Sequence, residues 1–303
     1  MSKITALIVT HNRIDKLKKT LLEIGNINFL SIVIVNCGST DETDLWLNRN
    51  QKENWFVLNI DNIGGCGGFK YGCKYIVNNL YSDWVLLFDD DAYPEKNILD
   101  VFNNLNLDGI GLVGSKVKSI SDDSYPIMNR LVYKSPNSIY DYISYIFNRE
   151  KFLCPLDKEC YAEIGSFVGL FIRFDILNKR LELMEDDLFV YYDDAIFTKK
   201  CTNLNEKYLY SPALLFNHDI PREQIFTPWK VYLLARNQFR YTRVFPKKAY
   251  ILLVLRTFSL FIKALKSKNK KKSIKALFIG LYHGVNDDYK LTISGACELF
   301  EKF

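Results

Sequence analysis

The 303-residue sequence predicts an α/β fold, a mainly parallel sheet flanked by helices, followed by a helical C-terminal extension. Three observations predict it. Strand, polar turn and helix alternate four times within the first 90 or so residues, the pattern of a parallel sheet with crossover helices. The strands are unbroken apolar runs (ITALIV, SIVIV, WVLLF), as expected when both faces of a sheet are buried. From Thr227 onward the apolar spacing is helical.

The first strand is residues 4–9, followed by the turn THNR and a helix from Asp15 to Ile24 with Leu17, Leu21, Leu22 and Ile24 apolar. A second strand, 31–35, ends in NCGSTD, and Asp41 to Asn48 reads as helix. A third strand, Phe56 to Ile60, runs into DNIGGCGGF, and the next helix is expected from Phe69 to Asn79. The fourth strand, Trp84 to Phe88, ends in three aspartates. In parallel sheets ligands bind outside the carboxyl ends of the strands, so these four polar turns should converge on one cleft. Further strands are expected at 110–117, 166–174 and 208–216. Residues 119–160 read as irregular, a lid or acceptor loop. A helix starts near Asp193, and no internal repeat is present.

Composition is that of a globular protein, 48% hydrophobic and 25% charged. The aromatic share is high at 15%, which suits sugar stacking, a membrane interface or plain core filling. Seven cysteines, an odd number without metal-like pairing, read as free thiols of a reducing cytoplasm. Cys154 and Cys160 are expected to be packing residues and not a redox pair. The N-terminus shows no signal-peptide pattern. Residues 224–286 carry 14 Lys and Arg and no Asp or Glu, which leaves 26 basic against 35 acidic residues elsewhere. An acidic body with a basic tail implies an anionic partner for the tail. The run 249–262, AYILLVLRTFSLFI, is too short and too charged to span a bilayer and reads as an interfacial or packed amphipathic helix. No nucleic-acid motif is present.

Five stretches carry candidate chemistry. Asp89, Asp90 and Asp91 stand together at a strand end, where like charges repel unless a cation relieves them. Residues 89 and 91 share one side of a strand, and Asp91 is the first choice as a direct metal ligand. The second is the glycine-rich DNIGGCGGF, with Gly64, Gly65, Gly67 and Gly68 ahead of a helix, where a phosphate could approach the backbone. It matches neither the G-x-G-x-x-G nor the Walker pattern, so a plain turn is an equal reading. Third, YYDDAIF offers Asp193 and Asp194 after Tyr192, as a general base or as helix-capping acids. Fourth, His218 in FNHD follows a strand, and an imidazole beside carboxylates suits Mn²⁺ better than Mg²⁺. His11 and His283 are weaker candidates. Fifth, PWKVYLLARN places Trp229, Tyr232 and Arg236 on one helix face, to hold an acceptor or to pack against the catalytic unit.

Together and in this order, the five stretches resemble the inverting family 2 glycosyltransferases of the GT-A, Rossmann-like fold, from about residue 3 to residue 245. DNIGGCGGF is similar to the N-x-GG-x-GGF loop of the galactofuranosyl- and rhamnosyltransferase branch, and YYDDAIF to its aromatic-Asp-Asp-Ala-Glu-Phe segment. The resemblance implies Asp194 as catalytic base, and Asp89, Asp91 and His218 around Mn²⁺ or Mg²⁺. It implies nucleotide contacts from Thr10, Arg13, Asn36, Asn62, Asp89, Asp90 and the four glycines. Tyr192, Asp193, Trp229 and Arg236 would face the acceptor. Two departures stand out. Asn36-Cys37 replaces a common Asp after the second strand, and Ile196 replaces the branch's Glu. The implied units are a nucleotide-sugar-binding catalytic domain, 1–225, and a basic helical region, 226–303. The implied activity moves a sugar, galactofuranose from UDP-galactofuranose first and rhamnose from dTDP-rhamnose second, onto a glycan or lipid-linked glycan. This suits cell-surface polysaccharide synthesis (O-antigen or capsule) by a cytoplasmic protein peripheral at the inner membrane face. The basic helices would meet anionic headgroups, or a second copy of the chain. A nucleotidyltransferase would want glycines after the first strand, which THNRIDK lacks. A non-catalytic sugar-nucleotide binder is the remaining alternative.

Overall fold

The computed structural model describes residues 1–221, 226–246, 249–291 and 293–301. Its first half is the expected alternation: β1 (Ile4–Thr10), α1 (Ile14–Glu23), β2 (Ser31–Cys37), α2 (Thr43–Asn50), β3 (Trp55–Ile60), α3 (Gly64–Asn79) and β4 (Trp84–Asp89). Then come β5 (Ala92–Pro94), α4 (Ile98–Asn103), β6 (Leu112–Ser119), α5 (Ile139–Phe147), β7 (Cys160–Tyr161), β8 (Leu170–Arg173) and α6 (Phe174–Arg180). The chain continues through α7 (Asp193–Asn203) and β9 (Tyr208–His218) to four helices, α8 (Pro228–Arg243), α9 (Tyr250–Lys266), α10 (Lys270–Val285) and α11 (Ile293–Glu301).

One nine-stranded sheet has the order β3-β2-β1-β4-β8-β6-β9-β5, with β7 added on β9. β3, β2, β1 and β4 are mutually parallel, while β8 enters antiparallel between β4 and β6. Both faces are buried, as the unbroken apolar strands predict. Leu17 and Leu21 of α1, Leu47 of α2 and Phe102 of α4 close one face. Phe69, Cys73 and Ile76 of α3 and Leu177 of α6 close the other. A third cluster runs from Cys66 and Ile196 to Tyr241, Leu252 and Tyr289, so α8, α9 and the chain after α10 share a core with α3 and α7. The six described cysteines, Cys154 and Cys160 among them, are free thiols.

Three expectations shift. The helix expected at Phe69 begins at Gly64, so the glycines form its first turns instead of a loop. Gly68 lies against Val9 and Cys37, and Gly72 against Leu7 and Val35, so small residues let α3 sit close on the sheet. The segment read as irregular holds α5, whose Ser138–Asp141 capping box starts a helix of aromatic and β-branched residues with weak intrinsic preference. The strand expected at 166–174 shortens to Leu170–Arg173, because Gly169 takes a left-handed φ of 77°. Residues 250–262 fall within α9, a packed helix, with Ala249 at its N-cap. Among the described residues no helix is long and apolar enough to cross a membrane.

Candidate active site

The four polar turns do meet. His11 Nδ1 lies 2.7 Å from the Cys37 carbonyl and Nε2 lies 3.1 Å from Asn62 Nδ2, which ties the turns after β1, β2 and β3 together. His11 is therefore a tie between turns, and His283 bonds the Tyr232 hydroxyl within the helical region. Asn12 Oδ1 accepts from the Thr40 amide at 2.6 Å in the same corner.

At the next turn, Asp89, Asp91 and His218 each offer one ligand atom, all within 4.8 Å of one another. Strand pairing explains the triad. β5 runs antiparallel to β9 with Ala92 opposite His218, which sets Asp91 beside the imidazole. His218 Nε2 is 3.2 Å from Asp91 Oδ1, and Nδ1 is 3.2 Å from Asn129 Oδ1. Asn129 Nδ2 donates to Ser166, so its oxygen faces the ring, and an amide oxygen only accepts. Nδ1 therefore carries a proton, and Nε2, the nitrogen that faces Asp91, is the one placed to bind a metal, the arrangement of a metal-binding histidine with an outer partner. Burial, then Asp91, push the Asp89 carboxyl up to about 6. Burial would raise Asp91 too, but the His218 hydrogen bond, with Arg13, holds it below the usual value. Two carboxylates and an imidazole fit Mn²⁺ or Mg²⁺, the nitrogen favouring Mn²⁺.

Arg13, 44% exposed, reaches Asp91 at 2.6 Å and Asp90 at 2.8 Å. Asp90 itself is 1% exposed and accepts from Thr10 Oγ1 at 2.7 Å. Burial pushes it up to about 7 even with Arg13 beside it. The expected nucleotide contacts of Thr10 and Asp90 are thus displaced, because the two side chains are closed on each other beneath Arg13.

A cavity of about 590 Å³ opens at the ends of β2 and β3, walled by Asn36, Gly38, Ser39, Asp44, Asn59 and Asp61. Asn36 Nδ2 donates to Asn59 Oδ1 at 2.9 Å, and Asn59 Nδ2 donates to Asp44 Oδ1 at 2.7 Å. An ionised carboxylate only accepts, so Asp44 fixes the direction of the chain and leaves Asn36 Oδ1 buried without a partner. Asn59 and Asp44 are the residues here that sequence reasoning missed. Asn62 is exposed at the rim. Of the glycines, Gly64 (φ 78°) abuts Phe189 O, where a Cβ would collide, Gly67 packs on Ile63, and Gly65 faces open space.

The base candidate comes from a different construction. Phe189, Tyr191 and Tyr192 all have left-handed φ, 71°, 76° and 70°. Such residues cost roughly 1–3 kcal/mol each and persist only when their surroundings hold them. Asn237 Nδ2 donates to Leu188 O at 3.0 Å and Val190 O at 2.8 Å, and Arg236 donates to Leu188 O at 2.8 Å. The Cys66 amide at the start of α3 donates to Phe189 O. Arg236 is 0% exposed and also donates to Leu291 O. Its expected acceptor contact is therefore corrected: it is a clamp on the 188–192 loop, out of reach of a ligand.

That loop delivers Tyr192 and Asp194 into a cavity of about 610 Å³ that Arg13 also lines. Burial pushes Asp194 up to about 6, while the Ala195 amide and Ser166 hold it back. Asp194 is close enough to Asp89 to raise the latter's pKa further. Asp193, held well above the usual range by burial and by Asp194, stands outside the cavity wall. Trp229 also stands outside it, stacked on Tyr191 at 6.5 Å. Ile196 is fully buried beside Leu188 and Tyr241, so the branch's glutamate position is an apolar packing site here.

No curated protein matches the chain at a significant level of sequence similarity. Among solved structures, TarS 1–349 of S. aureus in complex with UDP-GlcNAc is similar over 95% of this chain and 93% of that one, at 14% identity and a TM-score of 0.52. The mannosyltransferase PcManGT from Pyrobaculum calidifontis, with GDP-Man and Mn²⁺, is similar over 99% and 81%, at 15% identity and 0.53. GalNAc-T7 with UDP, GalNAc and Mn²⁺ is similar over 96% of this chain and 58% of that one, at 12% identity and 0.56. At such identities the likeness speaks for the shared GT-A fold. The family described as glycosyl transferase family 2 matches residues 5–180, more than half of the sequence, and the chain belongs to that family.

Proposed function

We propose that this protein is a metal-dependent inverting glycosyltransferase that moves galactofuranose from UDP-galactofuranose to a glycan or lipid-linked glycan. The observation that carries the reading is Asp194, which shares a cavity with Arg13 beside the Asp89–Asp91–His218 triad. The acceptor hydroxyl gives its proton to Asp194. Its oxygen bonds the anomeric carbon as the bond from that carbon to the diphosphate oxygen breaks. The diphosphate leaves with the electron pair, and one displacement inverts the configuration, the stereochemical logic of an inverting glycosidase with a sugar hydroxyl in place of water. A divalent cation held by Asp89, Asp91 and His218 would stabilise the diphosphate charge. Arg13 adds a guanidinium at the same place.

The unpartnered oxygen of Asn36 supports uracil or thymine, whose ring N–H can donate to it. TarS and GalNAc-T7, whose structures hold UDP or a UDP-sugar, point the same way. The glycine motif supports galactofuranose first and dTDP-rhamnose second. Under this reading residues 1–225 supply donor binding, and 226–303 meet an anionic membrane surface at the inner face. Tyr250, Val254, Phe258 and Ile262, four residues apart on α9, form an exposed apolar row with Lys266, Lys268 and Lys270 at its end. Each lysine near anionic headgroups would add about 1 kcal/mol.

Calorimetric titration with UDP and dTDP, with and without Mn²⁺, in the native protein and Asp91→Ala, tests the donor half. Metal-dependent UDP binding that the variant loses is expected. Tighter dTDP binding would turn the reading to rhamnosyl transfer, and binding of neither would end it. NMR of the product's anomeric signal tests inversion.

A further inference from the structure

The helical wall of the 610 Å³ cavity holds charge that the transfer reaction does not use. Arg149 follows α5, Lys230 sits on α8, and Arg256 and Lys263 sit on α9, two turns apart and so on one face. Arg13 and Arg130 share the wall, but they pair with Asp90, Asp91 and Glu150. Among the described residues none of the other four makes an ion pair, and Asp194 is the one carboxylate lining the cavity. Arg256 donates to the Tyr192 hydroxyl at 3.0 Å and lies over the Tyr241 ring at 4.7 Å, yet its Nε is buried without a partner. Arg149 lies over Tyr145 at 5.2 Å, and its Nε is likewise buried and unpartnered. Lys263 lies over Phe226 at 4.9 Å. Its ammonium is pushed down by burial and by Arg256. Aromatic faces attract cations but give little charge compensation. Four cations gathered in a half-closed cavity with a single carboxylate are unfavourable until a further anion joins them. A neutral sugar hydroxyl would not supply one.

We infer that this wall is an anion subsite for the acceptor, built to take a phosphate or phosphodiester carried by the molecule that presents its hydroxyl to Asp194. Calling the ligand an acceptor rests on the transferase reading. The anion subsite rests on the cations alone. The phosphate could belong to a soluble glycan or to a lipid headgroup, and the probes separate the two.

Phosphorus NMR titration of the full chain with sn-glycerol 3-phosphate, and with dihexanoylphosphatidylglycerol below its micelle concentration, tests it in the presence of saturating UDP and Mg²⁺. At least one probe should bind with UDP in place. Lys263→Gln and Arg149→Gln should each weaken it about tenfold, the worth of one hydrogen bond to a charged group, while UDP affinity stays within about twofold. Tighter binding of the lipid would assign the phosphate to a headgroup, and tighter binding of glycerol phosphate to a soluble chain. Displacement of both probes by UDP–Mg²⁺ would give these cations to the donor diphosphate and overturn the inference. Absence of binding, or equal affinity in both variants, would also overturn it. Failure of UDP to bind would remove the donor reading, and the same variants titrated without UDP would still decide the subsite.

Discussion

The two halves of the candidate site are built by different means. The candidate metal triad stands on strand ends, and its geometry follows from backbone pairing, with Ala92 opposite His218 and Asp89 closing β4. The Asp194 half stands on a loop of left-handed residues that buried side chains of α8 hold by their carbonyls. Ladder hydrogen bonds place a side chain whatever the neighbouring side chains are. A clamped loop places one only while every clamp is intact. An outer substitution in the first half should therefore weaken one ligand and leave it in place, and one in the second should release the whole loop.

The largest effect should come from Asp194→Asn. Transfer should fall by about a hundred- to ten-thousand-fold, the usual worth of a general base, with UDP affinity nearly unchanged. A variant that keeps its rate would sink the base assignment. Next is Asn129→Leu, which removes the partner of His218 Nδ1. Metal affinity in a UDP-binding titration should drop by about 10–100-fold, the cost of losing an outer partner of a metal histidine. An unchanged metal midpoint would mean that strand pairing alone orients the ring.

Asn237→Ala probes the clamp. It leaves the Val190 carbonyl without this donor, and about 1–3 kcal/mol of stability should be lost to the unsatisfied group. Thermal unfolding reads the loss. The same variant should lower kcat more than it weakens UDP binding, and an equal effect on both would contradict the division into halves. The gentlest probe is pH. Asp194, at about 6, works as a base only when ionised, so kcat/KM should be full above that value and decline as pH falls through it. A profile flat down to about pH 5 would point away from this carboxylate.

Much of the donor half was legible in the sequence, because apolar runs mark strands and polar residues just after them mark the cleft. Asp89, Asp91 and His218 all follow such runs. The acceptor half was legible only as motifs. Nothing in YYDDAIF reveals three left-handed residues around it, since aromatic side chains carry no sign of positive φ. Arg236 looked like a ligand residue because charged side chains are rarely fully buried, and its partners are carbonyls 48 and 55 residues away. Asn129 lay in a stretch without periodicity, and its meeting with His218 spans 89 residues. The glycines of α3 hid the helix start because glycine is a poor helix former, used here for closeness and not for propensity.

The clamp on the 188–192 loop also sets an order of assembly. Strands β1 to β4 and the aspartates at their ends lie within the first 91 residues, but Asn237 must be synthesised and α8 docked before the loop that carries Asp194 is held. A chain ending before residue 237 would hold the strand-end aspartates and the Cys66 contact to Phe189 O but lack the Asn237 clamp on the loop. The strand-end side chains are thus made first, and the loop that carries Asp194 is fixed last.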